Sequence, residues 1–183
     1  MTRDEALALL REYLTNDNLV KHCLATETIM AALAERLGRD VERWRVAGLV
    51  HDLDFEETKD TPNQHGLKTA AILEEKGLDP ETIHAVKSHN DALGVPRESD
   101  FDHALACAET ITGLIVATAL VQPDKKLASV QPKSVLKRMK KKDFARNVNR
   151  DIIRECETLG IPLPDFVALS VEAMCGIAGE LGL

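Results

Sequence analysis

Six histidines stand at 22, 51, 65, 84, 89 and 103, and the chemistry open to them depends on the acids beside them. His51 is followed directly by Asp52 in the stretch GLVHDLDFE, where an apolar run ends. A neutral imidazole and a carboxylate are both good ligands for a borderline or hard divalent ion. His22 lies near the start of another apolar segment, and Glu109 lies inside a third, ACAETITGLIVATAL. A lone carboxylate in such a segment is costly unless it is neutralised, hydrogen-bonded or bound to a cation. His22, His51, Asp52 and Glu109 are therefore candidate metal ligands, with an ion-paired buried glutamate as the other reading of Glu109. Adjacent helix positions point about 100° apart, so His51 and Asp52 converge on one ion only at the end of their element. A mixed imidazole and carboxylate set suits Mn, Fe, Co, Ni or Zn, and Mg can still serve as an added ion. The spacing has neither the tight signature of a zinc finger nor a His-Glu-x-x-His helix.

A second chemistry is suggested by the run PKSVLKRMKKKDFARNVNR, which holds most of the clustered positive charge. Lys133, Lys137, Arg146 and Arg150 are candidate phosphate-binding residues. Arg146 and Arg150 are four apart and share a helical face, which suits a pair aimed at one anion. A lysine-rich run is also what a solvated surface looks like. There is no glycine-rich phosphate loop and no dinucleotide fingerprint.

These residues must be positioned by helices, because periodicity of three and four recurs along the chain. Leu7, Leu10 and Leu14 put one apolar face on a helix over 3–14. Asn16 or Asp17 caps a second over about 17–37, which Gly38 stops. A third starts near Asp40 and runs into His51-Asp52. Residues 55–64 read as a loop, helix returns across 65–77, and Asp79-Pro80 opens another that ends at His89-Asn90. The strongest helical signal covers 99–121 and predicts a central buried helix. Two short helices are expected over 124–150, breaking near Lys142-Asp143, and the last ones over about 146–159 and 164–181. No pair of alternating strands is found. The fold class is all-α, as one domain with a core of about 15–122 and a basic C-terminal helical part of about 123–183.

The composition fits this picture. The chain has 183 residues, enough to bury a core without staples. Aromatic residues are only 3%, so the core is expected to be Leu, Ile, Val, Ala and Met. A formal net charge of -7 argues against a broad nucleic-acid surface. The four cysteines are scattered, which points to a reducing compartment. No signal peptide or membrane span is expected, so the expected location is cytoplasmic. Oligomeric state is not legible.

His22, His51-Asp52 and a distant acid at 109 resemble the signature of the HD superfamily of metal-dependent phosphohydrolases. The likeness extends through KHCLATETIMAALAERLG, LVHDLDFE, a later His-Gly, Ser-His-Asn, TGLIVATALVQPDK and the basic segment, as in a small uncharacterised HD-domain subfamily of about this length. It implies an HD-domain-like helical bundle with additional C-terminal helices. The family places an aspartate where Glu109 stands here, so Glu109 keeps the charge and reaches one methylene further. The resemblance also implies roles for His65 and His89: second-metal ligands, phosphate contacts, or structural residues. Asp54 and Glu56 read as acids outside the ligand set, either supporting a ligand from behind or closing the helix in solvent, Glu27 as orienting a ligand or a neighbouring helix, and His84 and His103 as packing or surface residues.

The implied activity is hydrolysis of a small phosphate ester, with a nucleotide the first candidate. Asp52 is the expected catalytic residue, as ligand and as the group that orients or deprotonates the attacking water. The expected partner is a small phosphorylated molecule, with no extended nucleic acid and no membrane. The alternative is a non-catalytic metal-bound or ligand-sensing helical protein with a degenerate HD site.

Overall fold

A computed structural model describes residues 1–183, and all its regular structure is helical. The helices are α1 (Arg3–Tyr13), α2 (Asp17–Leu37), α3 (Val41–Val50), α4 (Phe55–Thr58), α5 (Leu67–Glu75), α6 (Pro80–Ser88), α7 (Asp100–Leu120), α8 (Pro132–Met139), α9 (Arg150–Arg154), α10 (Leu163–Gly176) and α11 (Ala178–Leu181). Local side-chain chemistry sets many of the boundaries. Thr2 and Glu5 form a capping box at α1, and Ser99 and Asp102 form another at α7. Asn16, Asp40 and Asp79 each cap the helix that follows by accepting a backbone N–H. Pro80 occupies the first turn of α6, where its missing N–H costs nothing.

The central element is α7, which packs against α2, α3, α6, α8, α9 and α10. Its Leu105, Ile111, Leu114 and Ile115 are fully buried. By length and apolarity alone α7 could cross a membrane, but here those residues are the middle of the core. α2 crosses α3 closely because Gly48 has no side chain. A Cβ there would sit 2.9 Å from the Glu27 Cα. The buried Glu27 is held between Arg3 (2.5 Å) and Arg45 (3.2 Å), so it ties α1 and α3 to α2 and points at no ligand.

Several boundaries differ from the sequence expectations. On α1 the buried positions are Ala6, Leu9 and Leu10, with Leu7 only partly covered. The supposed loop 55–64 begins with the short α4. Of the two helices expected over 124–150 only α8 forms, and 142–147 is a series of turns. The next helix starts at Arg150, not 146, and passes into a 3-10 turn at 155–157. The reason is tertiary: the Arg150 side chain reaches back and takes carbonyl groups that a helix would have used itself.

Candidate metal centre

Five elements deliver side chains to one point. His22 lies in the second turn of α2. His51 is the C-cap of α3, and the turn 51–54 that follows carries Asp52 and Asp54. The apolar run before them, including Val46, Leu49 and Val50, is buried, so the end of α3 is driven inward with its polar residues. His65 precedes Gly66, whose φ of 94° and N–H bonds to the Asp54 carboxylate at 2.9 and 3.1 Å set the turn into α5. His89 is the C-cap of α6. Thr112 and Glu109 come from α7.

The geometry centres on the Asp52 carboxylate. Its Oδ1 lies 3.4 Å from His51 Nε2, 3.1 Å from His65 Nε2 and 3.4 Å from His89 Nε2. Its Oδ2 lies 3.5 Å from His22 Nε2. His22 and His51 bring their Nε2 atoms to 3.2 Å, and His65 and His89 to 3.1 Å. Two overlapping groups of potential metal ligands result, His22–His51–Asp52 and Asp52–His65–His89, and Asp52 belongs to both.

The far nitrogens determine what these near nitrogens can be. His51 Nδ1 faces the Gly48 carbonyl at 2.8 Å, and His89 Nδ1 faces the Val86 carbonyl at 2.6 Å. A carbonyl only accepts, so both Nδ1 atoms carry the proton. His65 Nδ1 donates to Asp54 Oδ1 at 2.8 Å. Thr112 gives its hydroxyl proton to the Glu109 carbonyl at 2.6 Å, so it accepts from His22 Nδ1 at 2.9 Å. In their neutral forms all four imidazoles therefore turn bare Nε2 lone pairs toward one carboxylate. Lone pairs at such separations repel, and a cation among them removes the repulsion. Fixing each ring through its far nitrogen is how metal-binding histidines are oriented. The donor set fits a divalent ion of the borderline class.

The charge states agree. Burial drops the His51 pKa to about 3, with Asp52 only partly offsetting it, so His51 stays neutral. Burial raises Asp52, but the hydrogen bond from the protonated His65 outweighs it and holds the carboxyl well below the usual range. His65 is lowered by burial and raised more by hydrogen bonds to Asp52 and Asp54, ending at about 10. The proton on His65 thus does the work of a cation here, and an entering ion would displace it.

Asp54, expected either to support a ligand from behind or to stand in solvent as a helix-closing acid, does the first and is completely buried. Its carboxylate takes the His65 proton contact and the N–H groups of Gly66, Lys68 and Thr69. Glu56 closes no helix of its own and instead reaches across to the start of α2, accepting from the N–H groups of Thr15 and Asn16. Thr112 was not singled out, and the only sequence signal for it is its place one turn after Glu109. Glu109 itself is on the wall of the same cavity but in neither ligand group. It has no ion pair with a lysine or arginine, and its carboxylate accepts from Thr110. Burial pushes its pKa up, while His22 and His89 pull it down.

The cavity has a volume of about 650 Å³. Lys133, Lys137, Arg146 and Arg150 do not line it. Arg150 is a correction to the phosphate-binding expectation: its guanidinium is committed to the carbonyls of Lys141, Phe144, Ala145 and Val148. His84 and His103 sit elsewhere, paired with Asp102 at 3.1 Å and Glu155 at 2.7 Å.

The family model described as HD domain matches residues 19–121. Ribonuclease Y of Oleidesulfovibrio alaskensis is 26% identical over 98 residues, 54% of this chain and 18% of that protein. Ribonuclease Y of Mycoplasma capricolum is 30% identical over 99 residues, 52% of this chain and 18% of its own length. That of Geobacter sulfurreducens is 26% identical over 76 residues, 42% of this chain and 15% of its own. The chain thus spans less than a fifth of the length of these relatives. No solved structure matches it.

Proposed function

Because the chain belongs to the HD-domain family, we propose that it is a metal-dependent phosphohydrolase acting on a small phosphate ester, with nucleotides the first candidates. One observation carries the reading: four imidazoles, each fixed through Nδ1, aim Nε2 at a single buried carboxylate. That arrangement serves a cation better than it serves stability, since burying two imidazoles and an acid, with two more imidazoles partly buried, is costly unless each is satisfied. His22, His51 and Asp52 would hold one ion, with Glu109 as the further ligand from α7, and Asp52, His65 and His89 would hold a second. An ion there supplies positive charge opposite the phosphoryl oxygens and makes water a better acid.

The chain's own residues do the rest. Asp52 orients the attacking water and takes its proton, since its carboxylate lies between both histidine pairs. Asp54 and Thr112 hold His65 and His22 in the tautomer with Nε2 bare. Phe55 stands edge-on to His65, 5.2 Å between ring centroids, and with Leu19 makes part of the wall apolar. The named relatives are ribonucleases by name, and hydrolysis of a phosphate ester bond would be the shared chemistry.

The test is elemental analysis of the purified protein together with turnover on a phosphatase panel with added Mn²⁺, Co²⁺ or Ni²⁺. The expected result is a bound transition metal and activity that Asp52→Asn lowers by at least about a hundredfold, with helical content unchanged. Glu109→Asp is expected to keep or raise activity, as it restores the family's residue. A protein with no metal and no turnover would instead be the non-catalytic, ligand-sensing type.

A further inference from the structure

The cavity has a wall that the metal-ligand candidates do not supply. Asn147, Val148, Asn149 and Ile152 line it, and all four lie beyond the residues that the HD domain model matches. This stretch leaves the basic run as turns and includes Ala145 at φ 44°, a left-handed conformation that a non-glycine residue adopts at a cost. Two devices hold it. The Arg150 guanidinium donates to the carbonyls of Phe144, Ala145 and Val148, and more weakly to that of Lys141. Val148 packs over Gly113 of α7, its Cγ2 3.3 Å from where a Cβ would stand. Arginine suits this because its rigid fork reaches several carbonyls at once.

What the wall offers is neutral. No lysine or arginine lines the cavity, whereas Asp52, Asp91 and Glu109 do. Asn90 is occupied structurally, with its amide donating to the Pro62 and His65 carbonyls and its oxygen accepting from Ala92. Asn149 uses its oxygen to cap α9 and keeps its amide N–H groups. Asn147 is solvent-exposed at the wall and keeps its whole carboxamide. Carboxamides recognise hydroxyls, ring nitrogens and amides by paired donor and acceptor. Each additional phosphate on a substrate would enter beside acids, with no cation of the chain to meet it.

We propose that the turn 144–149, stapled by Arg150, is the subsite for the neutral organic group of an ester bearing a single phosphate. Asn147 and Asn149 read that group, and Arg150 is a positioning residue acting through the turn. The assignment rests on the phosphohydrolase reading, and it narrows the substrate to monophosphate esters over di- and triphosphates.

The experiment compares wild type, Asn147→Ala and Arg150→Lys on the four 2′-deoxynucleoside 5′-monophosphates and the matching triphosphates, with Mn²⁺ present. Binding of the four 2′-deoxynucleosides to metal-free protein is measured by calorimetry, and melting temperature checks the fold. The expected result is a preference for the best monophosphate over its triphosphate of at least about tenfold in kcat/KM. Asn147→Ala and Arg150→Lys should raise KM and the nucleoside Kd by about tenfold, the scale of one lost hydrogen bond, with kcat within about twofold. Equal or better use of triphosphates overturns the assignment, and so do variants with unchanged KM and Kd. A wild type inactive on every ester overturns the phosphohydrolase reading. Nucleoside binding lost in Asn147→Ala would then still support the subsite, and no binding would remove it as well.

Discussion

Each imidazole of the centre is fixed by what its far nitrogen touches, and for His65 that is Asp54. The Asp54 carboxylate also satisfies the N–H groups of Gly66, Lys68 and Thr69 at 2.9–3.1 Å. Asp54→Asn can keep an oxygen toward those donors only by turning its NH2 group to His65 Nδ1, which removes the acceptor that holds the ring with Nε2 bare. Loss of a histidine's orienting partner costs about 10- to 100-fold in metal affinity. The expected outcome is that loss for the Asp52–His65–His89 group, with the His22–His51–Asp52 group retained. Calorimetric titration with Mn²⁺ checks it, and an unchanged second binding step would show that Asp54 does not act on the ion. A different residue sets an acid limit on the fold. Burial raises Asp79, but Arg43 and Thr82 outweigh that and bring it to about 2. A carboxylate with a depressed folded pKa stabilises above its unfolded value of about 3.9, and loses that contribution as pH falls through the folded one. Stability should therefore decline between about pH 4 and pH 2 through this group. Urea midpoints measured across that range should fall less steeply for Asp79→Asn, because asparagine can still cap α6.

At the scale of elements, the centre depends on how closely α3 lies on α2. Gly48 is the contact point: an added Cβ would meet Glu27 Cα at 2.9 Å and the Thr26 carbonyl carbon at 3.0 Å, all backbone. Backbone cannot swing aside, so Gly48→Ala must push α3 away. The same residue's carbonyl holds His51 Nδ1, three positions on. The expected outcome is a loss of about 1–3 kcal/mol in stability, typical of overpacking, with weaker Mn²⁺ binding. Thermal melting with metal titration checks both, and a variant with wild-type melting and metal affinity would mean that the crossing does not set the site. Elements of this kind were the most legible in sequence. α2, α3, α6 and α7 begin at Asn16, Asp40, Asp79-Pro80 and Ser99, because a cap is decided within four residues of chain. His51-Asp52 was legible for a similar reason, lying next to the apolar run that buries it. The complete burial of Asp54 and the turns at 142–147 were not. Their partners are His65, eleven residues on, and an arginine that denies the segment its helical carbonyls, and periodicity records neither.

For the molecule as a whole, the open matter is whether residues 123–183 are an appendage or half of one cooperative unit. A single apolar cluster runs from Ala6 in α1 to Leu181 in α11. The C-terminal part gives it Val135, Ile153, Phe166, Val167 and Met174, all completely buried. α10 packs on α2 and α7, the helices that carry His22, Glu109 and Thr112. Ending the chain at 122 would strip these side chains from α2 and α7 and leave their apolar faces to water, in a molecule whose net stability is only about 5–15 kcal/mol. We therefore expect a fragment ending at residue 122 to lack a cooperative thermal transition, even though it spans the family's matched region and every metal-ligand candidate. Circular dichroism melting of that fragment against the full chain is the check. A fragment that melts sharply and binds Mn²⁺ would mean that the C-terminal helices are added to an independent core. In that case the Asn147–Asn149 wall could be exchanged without disturbing the centre it faces.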